Sequence, residues 1–200
     1  MPRYVDHQQR RKAIMDATLE ILARGGTEGM SFRKIAERLG GSSTTVVTHY
    51  YRTQRELLDD LTARLTAQWE DDIRTIDAAS QDPRERLRQL LIWFVPASEA
   101  DVTTERARIQ LLAHDHGDDV FRASFRRWDR MMREHLRRHL GALVPQDRVD
   151  GLVDLLRVFT GGVVLSVLEY PGEWPPERQE SVVDGLMQLV DGVIVEAPAT

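Results

Sequence analysis

The chain has 200 residues, no cysteine and a formal net charge of −5 at pH 7. Without cysteine there are no disulfides, no thiol chemistry and no thiolate metal sites, and an ordinary composition excludes a low-complexity or disordered chain. The N-terminus, Met1-Pro2-Arg3-Tyr4, lacks an apolar signal region and no membrane-spanning apolar run is read, so a cytoplasmic protein with no membrane partner is expected.

The charge is unevenly placed. Residues 1–55 hold 10 Lys/Arg against 5 Asp/Glu, and residues 56–200 hold 17 against 27. A basic head on an acidic body suits a protein that meets polyphosphate at one end, and a charge-rich helical protein with chance asymmetry fits the same numbers. No period-two alternation is found and helical spacing recurs throughout, so the fold class expected is all-α. A first helix is predicted from about Gln8 to Arg24, with Ile14, Ala17, Ile21 and Leu22 on one stripe and Gly25-Gly26 ending it. Ser31 caps a short helix over Phe32 to Leu39. After Gly40-Gly41, Ser42 or Ser43 caps a third helix through about Tyr50. Thr53-Gln54-Arg55-Glu56 is a capping box, opening a long helix with Leu57, Leu58, Leu61, Leu65 and Trp69. The stretch Asp77 to Pro83 breaks that pattern, and Asp82-Pro83 starts a helix through Phe94. Further helices are predicted over 102–114, 118–140, 147–169 and 176–195.

Three short helices, the second and third joined by a glycine turn, have the layout of a helix-turn-helix, whose third helix enters the major groove while flanking groups grip phosphates. The run Gly25-Gly26-Thr27-Glu28-Gly29-Met30-Ser31-Phe32-Arg33-Lys34-Ile35-Ala36-Glu37-Arg38-Leu39-Gly40, followed by Thr48-His49-Tyr50-Tyr51-Arg52-Thr53-Gln54-Arg55-Glu56-Leu57-Leu58, resembles the N-terminal domain of TetR-type transcriptional regulators. The likeness covers about residues 10–60. It departs by one extra residue between Gly40 and Tyr51. Anchored on Tyr51, Thr48 stands where the family has a phosphate-binding Tyr, and Gln54 where it has a Lys, with Arg52 or Arg55 as substitutes. The resemblance implies a DNA-binding domain over 8–68 and a helical ligand-binding and dimerisation domain over 69–196. It also implies a homodimer on palindromic operator DNA, and a small-molecule effector.

The DNA-binding candidates are Arg33, Ser43, Thr44, Thr45, Thr48, His49, Tyr50 and Gln54. An arginine can pair bidentately with guanine, and threonines reach base edges or a thymine methyl. Arg10, Arg11 and Lys12 fit a backbone or minor-groove track; these cations and Arg33 equally fit a solvated helix face. Tyr51 is assigned to the core. The β-branched run Thr44-Thr45-Val46-Val47-Thr48 has poor helix propensity, which fits a recognition helix that tightens on DNA, or packing that overrides propensity.

Residues 152–168 are apolar almost all round, and the final helix carries the adjoining stripes Val182/Leu186/Leu189/Val193 and Val183/Met187/Val190/Ile194. A two-protomer four-helix bundle or an intramolecular core satisfies both. Trp93, Phe94, His114, Trp128, Met131, Met132 and Phe159 are the candidates for an effector pocket, or are core. The arginines Arg126, Arg127, Arg130, Arg133, Arg137 and Arg138 read as a solvated face ahead of an anion site. His114-Asp115-His116 is read as a polar loop and not a metal site, since histidines two apart on a helix diverge. No catalytic motif, metal or cofactor is expected. The reading is a repressor released by an inducer; an all-helical enzyme and a ligand-independent activator are the alternatives.

Overall fold

The structure, a computed structural model, describes residues 7–41, 43–113 and 119–196, except for the side chains of 119–122 and 195–196. These residues form nine helices: α1 (His7–Gly25), α2 (Phe32–Arg38), α3 (Thr45–Thr48), α4 (Gln54–Ala79), α5 (Pro83–Trp93), α6 (Glu99–Ala113), α7 (Asp119–Leu140), α8 (Gln146–Glu169) and α9 (Pro176–Glu196). The all-α expectation holds, with no strand among the described residues.

The local signals act as their chemistry requires. Gly26 closes α1 at φ +58, in the left-handed region where a side chain is disfavoured, and its N–H donates to Leu22 O at 2.9 Å. Ser31 accepts from Lys34 N at 3.2 Å and so caps α2. In the capping box, Thr53 Oγ1 accepts from Glu56 N at 3.1 Å, while Glu56 Oε2 accepts from Arg52 N at 2.8 Å. Asp82 accepts from Arg84 N at 2.9 Å, with Pro83 in the first turn of α5.

The third helix is shorter than predicted. It is one turn, Thr45–Thr48, and the chain continues to Tyr51 through further turns, in which Tyr50 N and Tyr51 N both donate to Val47 O. Its β-branched residues lose side-chain freedom in a helix, and what fixes the segment is burial of Val47, which is fully enclosed.

Two compact units divide the chain, one formed by residues 1–67 and 103–124 and the other by 68–102 and 125–200. In the first, Ile14 and Leu22 of α1, Ile35 of α2, Val47 of α3, Leu57 and Leu61 of α4 and Ala107 of α6 share one core. Tyr51 belongs to it, 2% exposed, with its hydroxyl donating to Asp60 Oδ2 at 2.6 Å. Burial, that hydrogen bond and the Asp60 charge together push its phenol well above the usual range.

The second unit has its own core. It contains Ile73 of α4, Leu87, Leu90 and Leu91 of α5, Leu136 and Leu140 of α7, Val153 and Leu156 of α8, and Val183 and Val190 of α9. Each such side chain contributes about 1.5–3 kcal/mol by leaving water. Arg84 grips Asp191 with two parallel hydrogen bonds of 2.8 and 2.6 Å, and Arg88 reaches Asp184 at 2.7 Å, so α5 and α9 are also joined by charge. One expectation needs correction. The helix α8 is long and apolar enough to cross a membrane, with a mean hydropathy of 1.8 over its most apolar stretch. Its inward face, Val149, Leu152, Val153 and Leu156, is spent on the core, and its Arg157 is bonded to Asp129 at 3.2 Å.

Candidate nucleic-acid interface

The turn between α2 and α3 is built by Gly40, whose φ of +76 lets the chain reverse. An open cleft of about 850 Å³ follows from it, lined by Arg33, Glu37, Gly40, Gly41, Ser43 and Thr44. Arg33 projects outward with its side chain 83% exposed, and its Nε donates to Glu37 Oε1 at 2.9 Å. A pair so exposed is worth at most about 1 kcal/mol, so its exchange for a base edge is cheap. Ser43 Oγ lies 2.8 Å from Thr45 Oγ1 and accepts from Thr45 N at 3.2 Å, which orders the entry to α3. Thr44, Thr45, Thr48 and His49 are exposed and Tyr50 is half-buried. The structure thus brings Arg33, Ser43 and Thr44 to one cleft, with Thr45, Thr48, His49 and Tyr50 on the turn that continues from it. Gln54 has a second engagement: one amide hydrogen goes to Met30 O at 3.4 Å, bracing the start of α4 against the loop before α2.

Beyond these residues, α1 meets the far end of the recognition segment. His7 Nδ1 lies 3.0 Å from the Tyr50 hydroxyl, and the Tyr50 and His49 rings meet edge-on at 5.0 Å. Sequence reasoning missed His7. Its spacing of four from Arg11, on the same helix face, was the available signal.

The effector candidates distribute differently. Trp93 donates from Nε1 to Asp72 Oδ2 at 3.3 Å, and its ring lies 5.6 Å from that of Phe94. Trp69, absent from the sequence-based candidates, stands between Trp93 at 6.2 Å and Trp128 at 4.9 Å, and Phe125 meets Trp128 at 5.0 Å. Trp69 and Asp72 are three apart on α4 and share a face, a spacing readable in the sequence. Met131 and Met132 pack against the core. Phe159 is 41% exposed on α8, beside Val158 at 73%, and among the described residues it is not part of the core of its unit. His114, with the polar loop read around it, lies outside the described residues. Among the described residues no cluster of three or more metal-ligating side chains occurs.

Asp129 is the charged centre of α7. Burial pushes its carboxyl up, but the Arg133 hydrogen bond and the charges of Arg157 and Arg133 outweigh burial and hold it below the usual carboxylate range.

Residues 14–61 match the family model for bacterial regulatory proteins of the tetR family, and residues 83–193 match that for the C-terminal domain of BetI-type transcriptional repressors. The chain belongs to the TetR family of transcriptional regulators. Its curated relatives include the regulator PksA of Bacillus subtilis, 34% identical over 62% of this chain and 60% of PksA. The regulator BetI of Rhizobium meliloti is 27% identical over 77% of this chain and 75% of its own. BetI of Burkholderia thailandensis is 26% identical over 96% and 84%. The match to PksA thus spans less than two thirds of that protein. Among solved structures, a Rhodococcus transcriptional regulator has a TM-score of 0.77 at 20% identity, covering 94% of this chain and 99% of that one. A transcriptional regulator from Saccharomonospora viridis, solved in complex with choline, has a TM-score of 0.74 at 17% identity, covering 91% and 97%. These relatives are transcriptional regulators by name, and as a family member this chain is a transcriptional regulator of the TetR/BetI type.

Proposed function

We propose that this TetR-family regulator is a homodimeric repressor that binds a near-palindromic operator through the α2–α3 surface and leaves it when a small organic cation occupies the C-terminal unit. The observation that carries the reading is the open cleft at the α2–α3 turn, where an exposed arginine and the hydroxyls of Ser43 and Thr44 stand together on one surface. Arginine there supplies a bidentate donor for guanine, and the hydroxyls suit base edges or phosphates. Arg33, Ser43, Thr44, Thr45, Thr48, His49 and Tyr50 are the residues assigned to DNA, with Gln54 as a brace that has one hydrogen to spare.

Dimerisation is assigned to α8 and α9. Leu155, Val158, Phe159 and Leu165 of α8 and Leu189 of α9 are all exposed, at 39% or more. Burying that face on a second copy removes the cost of exposing it and puts two recognition segments on one molecule. The effector class follows from the aromatic rings of Trp69, Trp93 and Trp128 beside the Asp72 carboxylate. Ring faces attract cations, quaternary ammonium ions above all, and a relative by fold was solved with choline. Trp93, Phe94, Trp128, Met131 and Met132 stay as effector-site residues, with Trp69 and Asp72 added.

The test is fluorescence anisotropy of labelled DNA selected by the protein from a random pool, titrated with choline and with its uncharged carbon isostere, 3,3-dimethyl-1-butanol. Release by choline alone, with a change in tryptophan emission, is expected. Release by both compounds equally, or by neither, removes the cationic effector.

A further inference from the structure

The cleft at the α2–α3 turn holds a carboxylate as well as an arginine. Glu37 lines it together with Arg33, Ser43 and Thr44. It stands one turn after Arg33 on α2, its side chain is 55% exposed, and its Oε1 accepts from Arg33 Nε at 2.9 Å. Its backbone carbonyl accepts from Gly40 N at 3.0 Å, in the turn that leads to Ser43 and Thr44. The residue that closes the turn therefore also carries the acid, so the turn itself fixes where the acid stands.

A carboxylate is out of place in a cleft built for phosphate alone. It carries only acceptors, and at close range it repels a second anion. The major-groove edge of DNA is different, because it mixes acceptors, such as guanine O6 and N7, with the amino donors cytosine N4 and adenine N6. An arginine and a carboxylate one turn apart match one of each. While Arg33 and Glu37 hold each other in water, the pair gains little. When Arg33 turns to a guanine, the carboxylate loses that donor, and an amino group on an adjoining base replaces it. Where the adjoining base presents guanine O6 or thymine O4, acceptor faces acceptor with no hydrogen between them, and that sequence is rejected.

We infer that Glu37 is a specificity-determining residue of the DNA surface, whose carboxylate accepts from the exocyclic amino group of a cytosine or adenine beside the guanine that Arg33 takes. The inference rests on the DNA-binding reading of the α2–α3 surface and gives its two charged residues separate tasks: the arginine attracts one base, and the acid excludes others from the next position.

The test is selection of duplexes from a random pool by the full-length wild type, Arg33→Ala, Glu37→Ala and Glu37→Gln, each checked for folding by circular dichroism. The guanine read by Arg33 is the one whose enrichment disappears in Arg33→Ala. At an adjoining position the wild type enriches cytosine or adenine, and which of the two it is names the amino group. Reversing that base pair puts an acceptor where the amino group stood and loosens wild-type binding about fivefold or more in titration. Glu37→Ala binds the original and the reversed duplex within about twofold of each other while keeping the guanine, and Glu37→Gln moves the preference toward adenine, whose N6 and N7 an amide pairs with bidentately. A Glu37→Ala pool identical to the wild type's at every position, or a wild-type pool with neither cytosine nor adenine beside that guanine, overturns the inference and leaves the regulator reading intact. A wild-type pool with no motif, or an Arg33→Ala pool that keeps every preference, overturns the DNA-binding reading of the cleft and the inference with it.

Discussion

Arginine does different work in the two units. In the unit containing residues 125–200, arginines reach across to other helices: Arg84 to Asp191 from α5 to α9, Arg137 to Asp150 from α7 to α8, Arg138 to Asp77 from α7 to α4, and Arg157 to Asp129 from α8 to α7. In the unit containing residues 1–67, several pairs stay on one helix, as with Lys12–Asp16, Arg33–Glu37 and Arg55–Asp59, and among the described residues Arg38–Glu20 joins two helices. A pair one turn apart on an exposed helix is weak and easily exchanged. A pair between helices fixes how they pack. These body arginines therefore fix how helices pack, whereas a one-turn pair such as Arg33–Glu37 in the head is easily exchanged for an outside anion.

Four variants sharpen that contrast. The largest effect belongs to the body's core: Leu136→Ala should cost about 2–5 kcal/mol in urea unfolding, because Leu136 is fully enclosed and leaves a cavity. Next is the exposed face of α8. Val158→Asp with Leu165→Asp should weaken self-association by about a hundredfold or more in sedimentation, the loss of one or two interface anchors, while the protomer stays folded. A dimer unchanged by both charges would move the interface elsewhere. Smaller again is Arg33→Ala, expected to weaken operator binding by about 1–3 kcal/mol while moving the urea midpoint little, since its pair with Glu37 is exposed. An Arg33→Ala variant that binds like the wild type takes Arg33 out of the interface.

The smallest effect is a pH dependence of stability. His139 is 3% exposed, with Asp77 Oδ1 at 2.9 Å from its Nε2 but off hydrogen-bond alignment. Burial lowers its proton affinity; the Asp77 charge opposes this, and the Arg86 and Arg138 charges add to it. The unfolded chain then binds a proton that the folded chain refuses. Stability is complete above the ordinary imidazole value of about 6.5 and declines as pH falls below it. Comparing urea midpoints at pH 7.5 and pH 5.5 for the wild type and His139→Gln should show the smaller drop in the variant; equal drops would assign the loss to other groups.

How much of this was legible in the sequence varied with the kind of signal. Caps and breakers were readable because their chemistry is local: Ser31, Thr53, Glu56, Asp82 and Gly26 act within a few residues of themselves. The end of α3 was not, because Val46 and Val47 resist helix on propensity while burial of Val47 sets the turn, and burial is decided by distant chain. Trp69 and Asp72 were passed over since their meaning depends on Trp93 and Trp128, which lie on other helices. The exposure of Phe159 was unreadable for the opposite reason: an all-apolar helix does not say which of its faces the same chain covers. For His7 the sequence offered only its spacing of four from Arg11, because its partner, Tyr50, is 43 positions away.

The most direct test of the account is selection of duplex DNA from a random pool by the purified protein in the presence of competitor, followed by a stoichiometric titration. The account predicts enrichment of a near-palindromic sequence whose half-sites lie about one helical turn apart, roughly 34 Å, bound by a symmetric pair of protomers and weakened by Arg33→Ala. A pool that shares no motif, with DNA retained only weakly and only at low salt, would contradict it.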